Sequence, residues 1–172
     1  ELFDNLSVSV NISALEFNRS QFPQRLGDAL RQHGAPAHRL ELEITETLLV
    51  QAGAELNARM LAITDLGVRL VLDDFGTGYS SLGYLKRLPL SKLKIDQSFV
   101  RDVPGDAEDE AIIRATLSMA HDLGLRVVAE GVETAAQRAF LQAHGCQGFQ
   151  GFLFSEPLPI DELEAWIDAR SA

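Results

Sequence analysis

Two ten-residue segments of this chain, residues 65–74 and 122–131, carry the same order of side chains. Each begins with Asp-Leu-Gly, continues into an apolar run, and reaches a carboxylate at or next to its end. The glycine suits a helix C-terminus, and an uninterrupted apolar run is typical of a parallel strand that is covered on both faces. Repeated units of this kind predict an α/β sheet or barrel.

Strand-like apolar runs recur along the whole chain and alternate with helical patterns. Thr134 with Gln137, and Asp161 with Glu164, match the capping box that begins a helix. The apolar runs lie at residues 6–10, 40–44, 68–72, 92–95, 126–129 and, more weakly, 147–149.

Composition narrows the class of protein. The net charge of −10 argues against binding to duplex nucleic acid, and no apolar run is long enough to span a bilayer or suggest membrane contact by this segment. One cysteine, Cys146, excludes an intrachain disulfide and fits a reducing compartment, so we expect a cytoplasmic location. Because the chain begins at Glu1, we expect it to be a piece of a longer protein. Other segments of that protein can tether it to a membrane.

Polar side chains follow each strand-like run. In parallel α/β folds and barrels, functional sites collect at the carboxyl ends of strands, so these side chains are expected to share one site. In chain order they are Asn11, Glu43, Glu46, Asp73, Asp74, Lys94, Asp96, Glu130, Glu133 and Gln150.

Most of these groups offer oxygen atoms, which suit Mg²⁺ or Mn²⁺ better than zinc. Asp73 and Asp74 are adjacent, and such a pair repels itself unless a proton or a cation lies between the two carboxylates. Two ions bridged by one carboxylate can clamp a phosphodiester and activate water. A lysine at a strand end, such as Lys94, can orient or deprotonate that water.

The same residues also have purely structural interpretations. Lys94 and Asp96 lie two apart on a strand and can simply pair with each other. Glu43 and Glu46 fit the start of a helix. Four polar residues, three of them in the loop after the third strand, fit turn and cap positions. These are Asn11, Thr77, Ser80 and Ser81.

Taken in order, six segments resemble EAL-domain phosphodiesterases, which hydrolyse the second messenger cyclic di-GMP to linear pGpG. The resemblance covers nearly the whole chain. The segments are residues 9–13 (SVNIS), 41–46 (ELEITE), 73–82 (DDFGTGYSSL), 93–100 (LKIDQSFV), 128–134 (VAEGVET) and 150–152 (QGF).

The resemblance implies a modified TIM-like barrel with a site for two ions, Mg²⁺ or Mn²⁺. Asp73 would be shared between the ions, and Lys94 would act on the attacking water. Glu46 would anchor the loop 75–82, which in such enzymes couples metal binding to dimerisation. The implied metal ligands are Asn11, Glu43, Asp73, Asp74 and Glu130. The implied catalytic residues are Lys94, Glu130 and Asp74. The implied substrate- or water-binding residues are Gln150 and Glu133.

The Glu-Ala-Leu tripeptide that names the family is absent from the chain. A (β/α)₈ barrel takes about 250 residues, or roughly 30 for each strand–helix unit, so 172 residues hold about six units. We therefore predict one EAL-type domain over residues 1–172, an incomplete TIM-like barrel without its two N-terminal strands. Open sheet edges should make the chain prone to association, and without the missing glutamate it should hydrolyse cyclic di-GMP weakly or not at all.

The resemblance also implies a homodimer and is compatible with GGDEF, PAS or other sensor domains in the parent chain. Three other functions fit part of the pattern. The domain could be a receptor that binds cyclic di-GMP without cutting it, a scaffold half-barrel for oligomerisation, or a metal-dependent lyase or aldolase barrel. The lyase or aldolase barrel fits the oxygen ligands but does not explain the full ordered set of segments.

Overall fold

The computed structural model describes residues 6–50, 54–78 and 82–171, which form one parallel sheet with helices between its strands. All six predicted strands are confirmed, although β3 runs past its apolar stretch to include both adjacent aspartates. The strands are β1 (Val8–Asn11), β2 (Leu40–Thr45), β3 (Arg69–Phe75), β4 (Lys92–Ile95), β5 (Arg126–Ala129) and β6 (Gly148–Phe149).

The six strands lie in the order of the chain, and every neighbouring pair is parallel. This confirms the predicted α/β class with an incomplete TIM-like barrel. Within the described residues, β1 and β6 each pair with one strand only. The outer strand β1 is exposed along its length, with Val8 63 % and Val10 41 % accessible, as an open sheet edge requires.

Helices connect successive strands on the outside of the sheet. Helix α2 ends at Gly34 in the left-handed conformation, and α8 begins at Thr134 with the predicted capping box. The other predicted cap is wrong, because α9 already includes Ile160 and Asp161 lies in its first turn. The helices are α1 (Ala14–Phe17), α2 (Phe22–His33), α3 (Glu46–Val50), α4 (Ala54–Thr64), α5 (Leu82–Leu85), α6 (Gln97–Val100), α7 (Ala107–Asp122), α8 (Ala135–Ala143) and α9 (Ile160–Ser171).

Two apolar clusters fill the space between sheet and helices. One joins β2 and β3 to α2 and α4, and the other joins β4 and β5 to α7 and α8. Leu42 and Ile44 lie in the first cluster, so the residues that alternate with them, Glu41 and Glu43, point to the opposite face. Both glutamates are nonetheless buried, so this inner face carries buried charges.

No helix in the described part of the chain is long and apolar enough to cross a membrane.

Candidate active site

Lys94 occupies the middle of the inner face and brings three strands together. Its ammonium lies 3.0 Å from Glu43 Oε2, 3.3 Å from Asp73 Oδ1 and 2.6 Å from Glu130 Oε1. The Lys94 side chain is only 6 % exposed. The strand order explains the meeting, because β2, β3, β4 and β5 are successive neighbours and each ends at the same edge. Four of the predicted site residues are therefore in direct contact.

The surroundings of Lys94 hold it in the charged form. Burial alone would lower the pKa of this lysine, but hydrogen bonds to Glu130 and Glu43 and the charge of Asp73 raise it above its ordinary value. A lysine with a raised pKa donates hydrogen bonds and does not remove protons. Of the two roles expected from the sequence, orienting a water suits this geometry better than deprotonating it.

Asp73, Asp74 and Glu130 form an acidic cluster beside Lys94, with one carboxylate oxygen from each lying within 4.8 Å of the others. Burial raises the pKa of Asp74, and the charges of Asp73 and Asp96 raise it further. Burial also raises the pKa of Glu130, against the opposing effect of Lys94. Asp73 Oδ1 is buried without a hydrogen-bond partner, although Lys94 lies near it. The cluster thus has an excess of negative charge that a cation would offset.

The backbone of Asp74 explains how two adjacent aspartates face the same cluster. Consecutive strand residues normally point to opposite faces. Asp74 has a φ of 54°, and the pairing of β3 with β4 shifts its register between Leu72 and Phe75. This bulge turns Asp74 toward the side of Asp73, which a regular strand would not allow.

Asp96, one of the strand-end polar residues for which the sequence predicted no metal-binding or catalytic role, also belongs to the site. Its carboxylate accepts a hydrogen bond from Ser98 N at 2.9 Å, which caps α6, and its charge helps to raise the pKa of Asp74. The simple pair between Lys94 and Asp96 is wrong, because the ion pairs of Lys94 go to other strands. The signal was present in the sequence, since Asp96 follows the end of β4 as the other site residues follow theirs.

A cavity of about 280 Å³ opens next to the acidic cluster. Gln150 and Glu133, expected near the substrate, both line it, and so does the exposed aromatic ring of Phe152. The remaining lining residues are Asp74, Asp96, Gln97, Glu130, Gly131 and Gly151.

Asn11 reaches the same edge of the sheet from the outer strand. It lies beside Glu43 in the β1–β2 register, and Ile12 N donates to Glu43 O at 2.9 Å. Its side chain is exposed, consistent with its place on the open edge. The structure thus sets Asn11 next to one predicted metal ligand.

Glu46 holds the loop that follows β3. It is 2 % exposed, and its Oε2 accepts hydrogen bonds from Gly76 N at 3.2 Å and Gly78 N at 3.1 Å. Thr77 Oγ1 donates to Asp74 O at 2.8 Å, so the turn interpretation of this threonine is correct. Residues 79–81, including Ser80 and Ser81, lie outside the described residues.

A second ionic layer, which was not predicted from the sequence, lies one step below Lys94 on the inner face. Lys92 Nζ lies 2.5 Å from Glu41 Oε2, and an Arg69 guanidinium nitrogen lies 3.4 Å from Glu41 Oε1. Although burial acts to raise the pKa of Glu41, these cations lower it below its ordinary value. Alternation along β2 and β4 places both layers on one face, which an apolar-run analysis does not detect.

Known proteins share both this sequence and this fold. A family model described as the EAL domain matches residues 1–157. The chain belongs to the EAL-domain family. Cyclic di-GMP phosphodiesterase NbdA of Pseudomonas aeruginosa is 46 % identical over 166 residues, which cover 96 % of this chain and 21 % of that protein. The resemblance stated from the sequence is therefore confirmed.

Two solved EAL structures match the fold. The PaMucR phosphodiesterase in complex with c-di-GMP superposes with a TM-score of 0.88 at 41 % identity, covering 91 % of this chain and 64 % of that one. The manganese/cy-diGMP complex of Klebsiella pneumoniae BlrP1 gives a TM-score of 0.81 at 34 % identity, covering 88 % and 39 %. The chain spans about a fifth to a quarter of the length of the curated relatives it matches.

Proposed function

We propose that this EAL chain carries most of the active site of a metal-dependent phosphodiesterase that opens cyclic di-GMP to linear pGpG. The observation that carries the proposal is the convergence of Glu43, Asp73 and Glu130 on the Lys94 ammonium at the carboxyl ends of four neighbouring strands. Relatives named as cyclic di-GMP phosphodiesterases support the choice of substrate.

The donor set fits divalent cations with a preference for oxygen. Asp73, Asp74 and Glu130 supply carboxylate oxygens that lie within 4.8 Å of one another, and Asp73 Oδ1 is a buried oxygen without a hydrogen-bond partner. Mg²⁺ and Mn²⁺ both suit such ligands. The proposed ligands are these three residues with Glu43 and Asn11, and Asp73 is shared between two ions. When bound, the ions supply charge neutralisation at the phosphodiester and a more acidic water.

The chain's own residues have proposed roles around that centre. Lys94 donates a hydrogen bond that orients the attacking water, because its charged form is favoured. Glu130 and Asp74 complete the catalytic group. Gln150 and Glu133 line the cavity and hold water or substrate there.

The loop held by Glu46 is the proposed link to a partner. Two backbone N–H groups of the loop depend on one buried carboxylate, so a change at the end of β3 reaches the loop directly. We propose that this loop contributes to a homodimer. We also propose that the parent protein carries GGDEF, PAS or other sensor domains. The site is proposed to operate in the cytoplasm, where the buried Cys146 stays reduced.

The test uses the 172-residue chain and its full parent protein in parallel. Calorimetric titration with Mn²⁺ and with cyclic di-GMP measures binding, and chromatography measures pGpG. We expect metal-dependent binding by both proteins and efficient turnover only by the parent. The matched control is Asp73→Asn with Asp74→Asn, which should abolish both metal binding and turnover. A parent protein that binds cyclic di-GMP and makes no pGpG would be a receptor, and one that binds neither metal nor dinucleotide would refute the proposal.

A further inference from the structure

Gln137 is the most deeply buried polar residue of helix α8, with 5 % of its surface exposed. Its side-chain oxygen accepts hydrogen bonds from Glu133 N and Thr134 N, both at 2.8 Å. Its side-chain nitrogen donates to Val100 O and Arg101 O, both at 3.1 Å. The amide can point only one way, because N–H groups must meet its oxygen and carbonyls its nitrogen. All of its hydrogen-bonding capacity is therefore used.

The four partners of Gln137 belong to two separate walls of the cavity. The first wall is Asp96 with helix α6, and the second is the loop at residues 130–134. The walls touch at Gly131, where a Cβ atom would lie 2.6 Å from Gln97 Cβ. We call this contact between the two walls the seam, and the cavity lies along it. Behind the cavity, Gln137 forms hydrogen bonds with both walls.

Val100 O also accepts a hydrogen bond from Val103 N at 3.4 Å, whereas the hydrogen bond that Arg101 O accepts within the described residues comes from Gln137. The carbonyls at the end of a short helix such as α6 lack intrahelical partners, and buried backbone groups without partners are costly. The capping box alone accounts for the bond to Thr134 N. The bonds to Val100 and Arg101 cross to another element and have no part in capping α8.

The opposite side of the loop is fixed separately. Val132 N donates to Gln150 O at 3.0 Å, and Leu153 N donates to Val132 O at 3.0 Å. The loop is therefore held from the Gln150 side by backbone bonds. On the α6 side, Glu130 N donates to Ile95 O at 3.1 Å, and Gln137 holds the later residues Glu133 and Thr134.

We propose that Gln137 is a positioning residue for the candidate active site, setting the distance between the wall that carries Asp96 and the loop that carries Glu130 and Glu133. This inference rests on the proposed function for its metal and substrate. Gln137 touches neither, so it acts through the backbone of the loop. Supporting residues behind metal ligands typically change metal affinity about 10- to 100-fold when they are replaced.

The test compares Gln137→Leu with two controls in the same chain. Gln142→Leu makes the same chemical change at an exposed position of α8, and Met60→Ala opens a cavity in the apolar cluster on the other half of the sheet. Calorimetry measures Mn²⁺ affinity, thermal unfolding measures stability, and amide hydrogen exchange follows Glu133 and Thr134. We expect Gln137→Leu to weaken Mn²⁺ binding by about tenfold or more and to speed exchange at both amides.

The controls separate positioning from stability. Met60→Ala should lower the unfolding temperature and Gln142→Leu should not, while both keep wild-type Mn²⁺ affinity. If Gln137→Leu does not fold, Gln137→Glu keeps both accepted hydrogen bonds, loses the donated pair, and should still weaken Mn²⁺ binding several-fold. Wild-type affinity in a folded Gln137 variant, or an equal loss in Met60→Ala, overturns the positioning role. A wild-type chain that binds no Mn²⁺ refutes the proposed function instead.

Discussion

Replacing Asp74 by asparagine should stabilise the metal-free chain and remove its response to metal. Asn keeps the shape of the side chain and tolerates the positive φ of 54° at this position better than most residues do. The substitution therefore removes one negative charge from the acidic cluster and leaves the bulge in β3 intact. The two effects should appear in the same molecule and have opposite signs.

The size of the first effect follows from the geometry. Asp74 and Glu130 offer oxygens within 4.8 Å of each other. Two unit charges at that distance repel by about 1 kcal/mol in water and by about 3.5 kcal/mol at an effective dielectric constant of about 20. The repulsion from Asp73 counts for less, since these neighbours in sequence also repel in the unfolded chain. For a half-buried pair we expect a gain of about 1–2 kcal/mol, or an unfolding temperature higher by about 2–8 °C.

The pH dependence gives the sign of the same effect. The pKa of Asp74 is raised by burial and by the charges of Asp73 and Asp96. The folded state thus holds this proton more tightly than the unfolded state does. The stability that this tighter proton binding contributes is fully present below the ordinary pKa of 3.8. It is lost as the pH rises through the raised pKa of Asp74 in the folded state. The advantage of Asp74→Asn should therefore be full at neutral pH and vanish in acid.

Thermal unfolding with and without Mn²⁺ is the assay. At a free concentration of about 100 times the dissociation constant, bound metal stabilises the wild type by about 2.7 kcal/mol, or about 5–11 °C. Asp74→Asn should gain almost nothing from the same addition, and Asp168→Asn, at an exposed position of α9, should behave as the wild type. A variant that is no more stable than the wild type without metal and equally stabilised by Mn²⁺ would refute this account of the cluster.

Three further substitutions test other parts of the structure. Lys94→Met leaves three carboxylates without their buried cation and should lower the free energy of unfolding, measured with denaturant, by about 3–5 kcal/mol. Added Mn²⁺ should partly restore it, and an unchanged stability would contradict the ion-pair geometry. Glu46→Gln weakens the acceptor of two backbone bonds, so hydrogen exchange at Gly76 and Gly78 should accelerate about 5- to 30-fold, and unaltered exchange would argue against the anchor. Val8→Lys places a charge on the exposed strand β1 and should reduce self-association, measured by sedimentation. A wild-type chain that stays monomeric at every concentration would contradict this expectation.

Much of the fold was predictable because the strands are nearly continuous apolar runs. Such runs identify buried parallel strands independently of their partners, and all six appear at the expected positions. The rule that polar residues collect at carboxyl strand ends also predicted that Glu43, Asp73, Lys94 and Glu130 would share one site, although it did not predict their ion pairs. Element ends were less certain, because a carboxylate such as Asp73 ends the apolar pattern while the backbone of β3 continues to Phe75.

The second ionic layer and the seam behind the cavity were not predictable from local pattern. Glu41 and Lys92 lie far apart in the chain, and only the sheet register brings their charges together. Asp96 was visible in the sequence, but its effect on the pKa of Asp74 depends on the bulge in β3, which turns Asp74 toward it. Registers and bulges arise from contacts between strands, which a single segment does not encode.

The sequence by itself determined the alternation of strands and helices, the oxygen-rich set of site residues and the family. Those properties depend on residue type and short spacing, which local physical chemistry constrains directly. The tertiary structure decided that Lys94 joins Glu43, Asp73 and Glu130, and that the Gln137 side chain extends from a helix cap to a second wall of the cavity. These outcomes depend on where parallel strands place distant side chains, and only packing of the whole sheet fixes that.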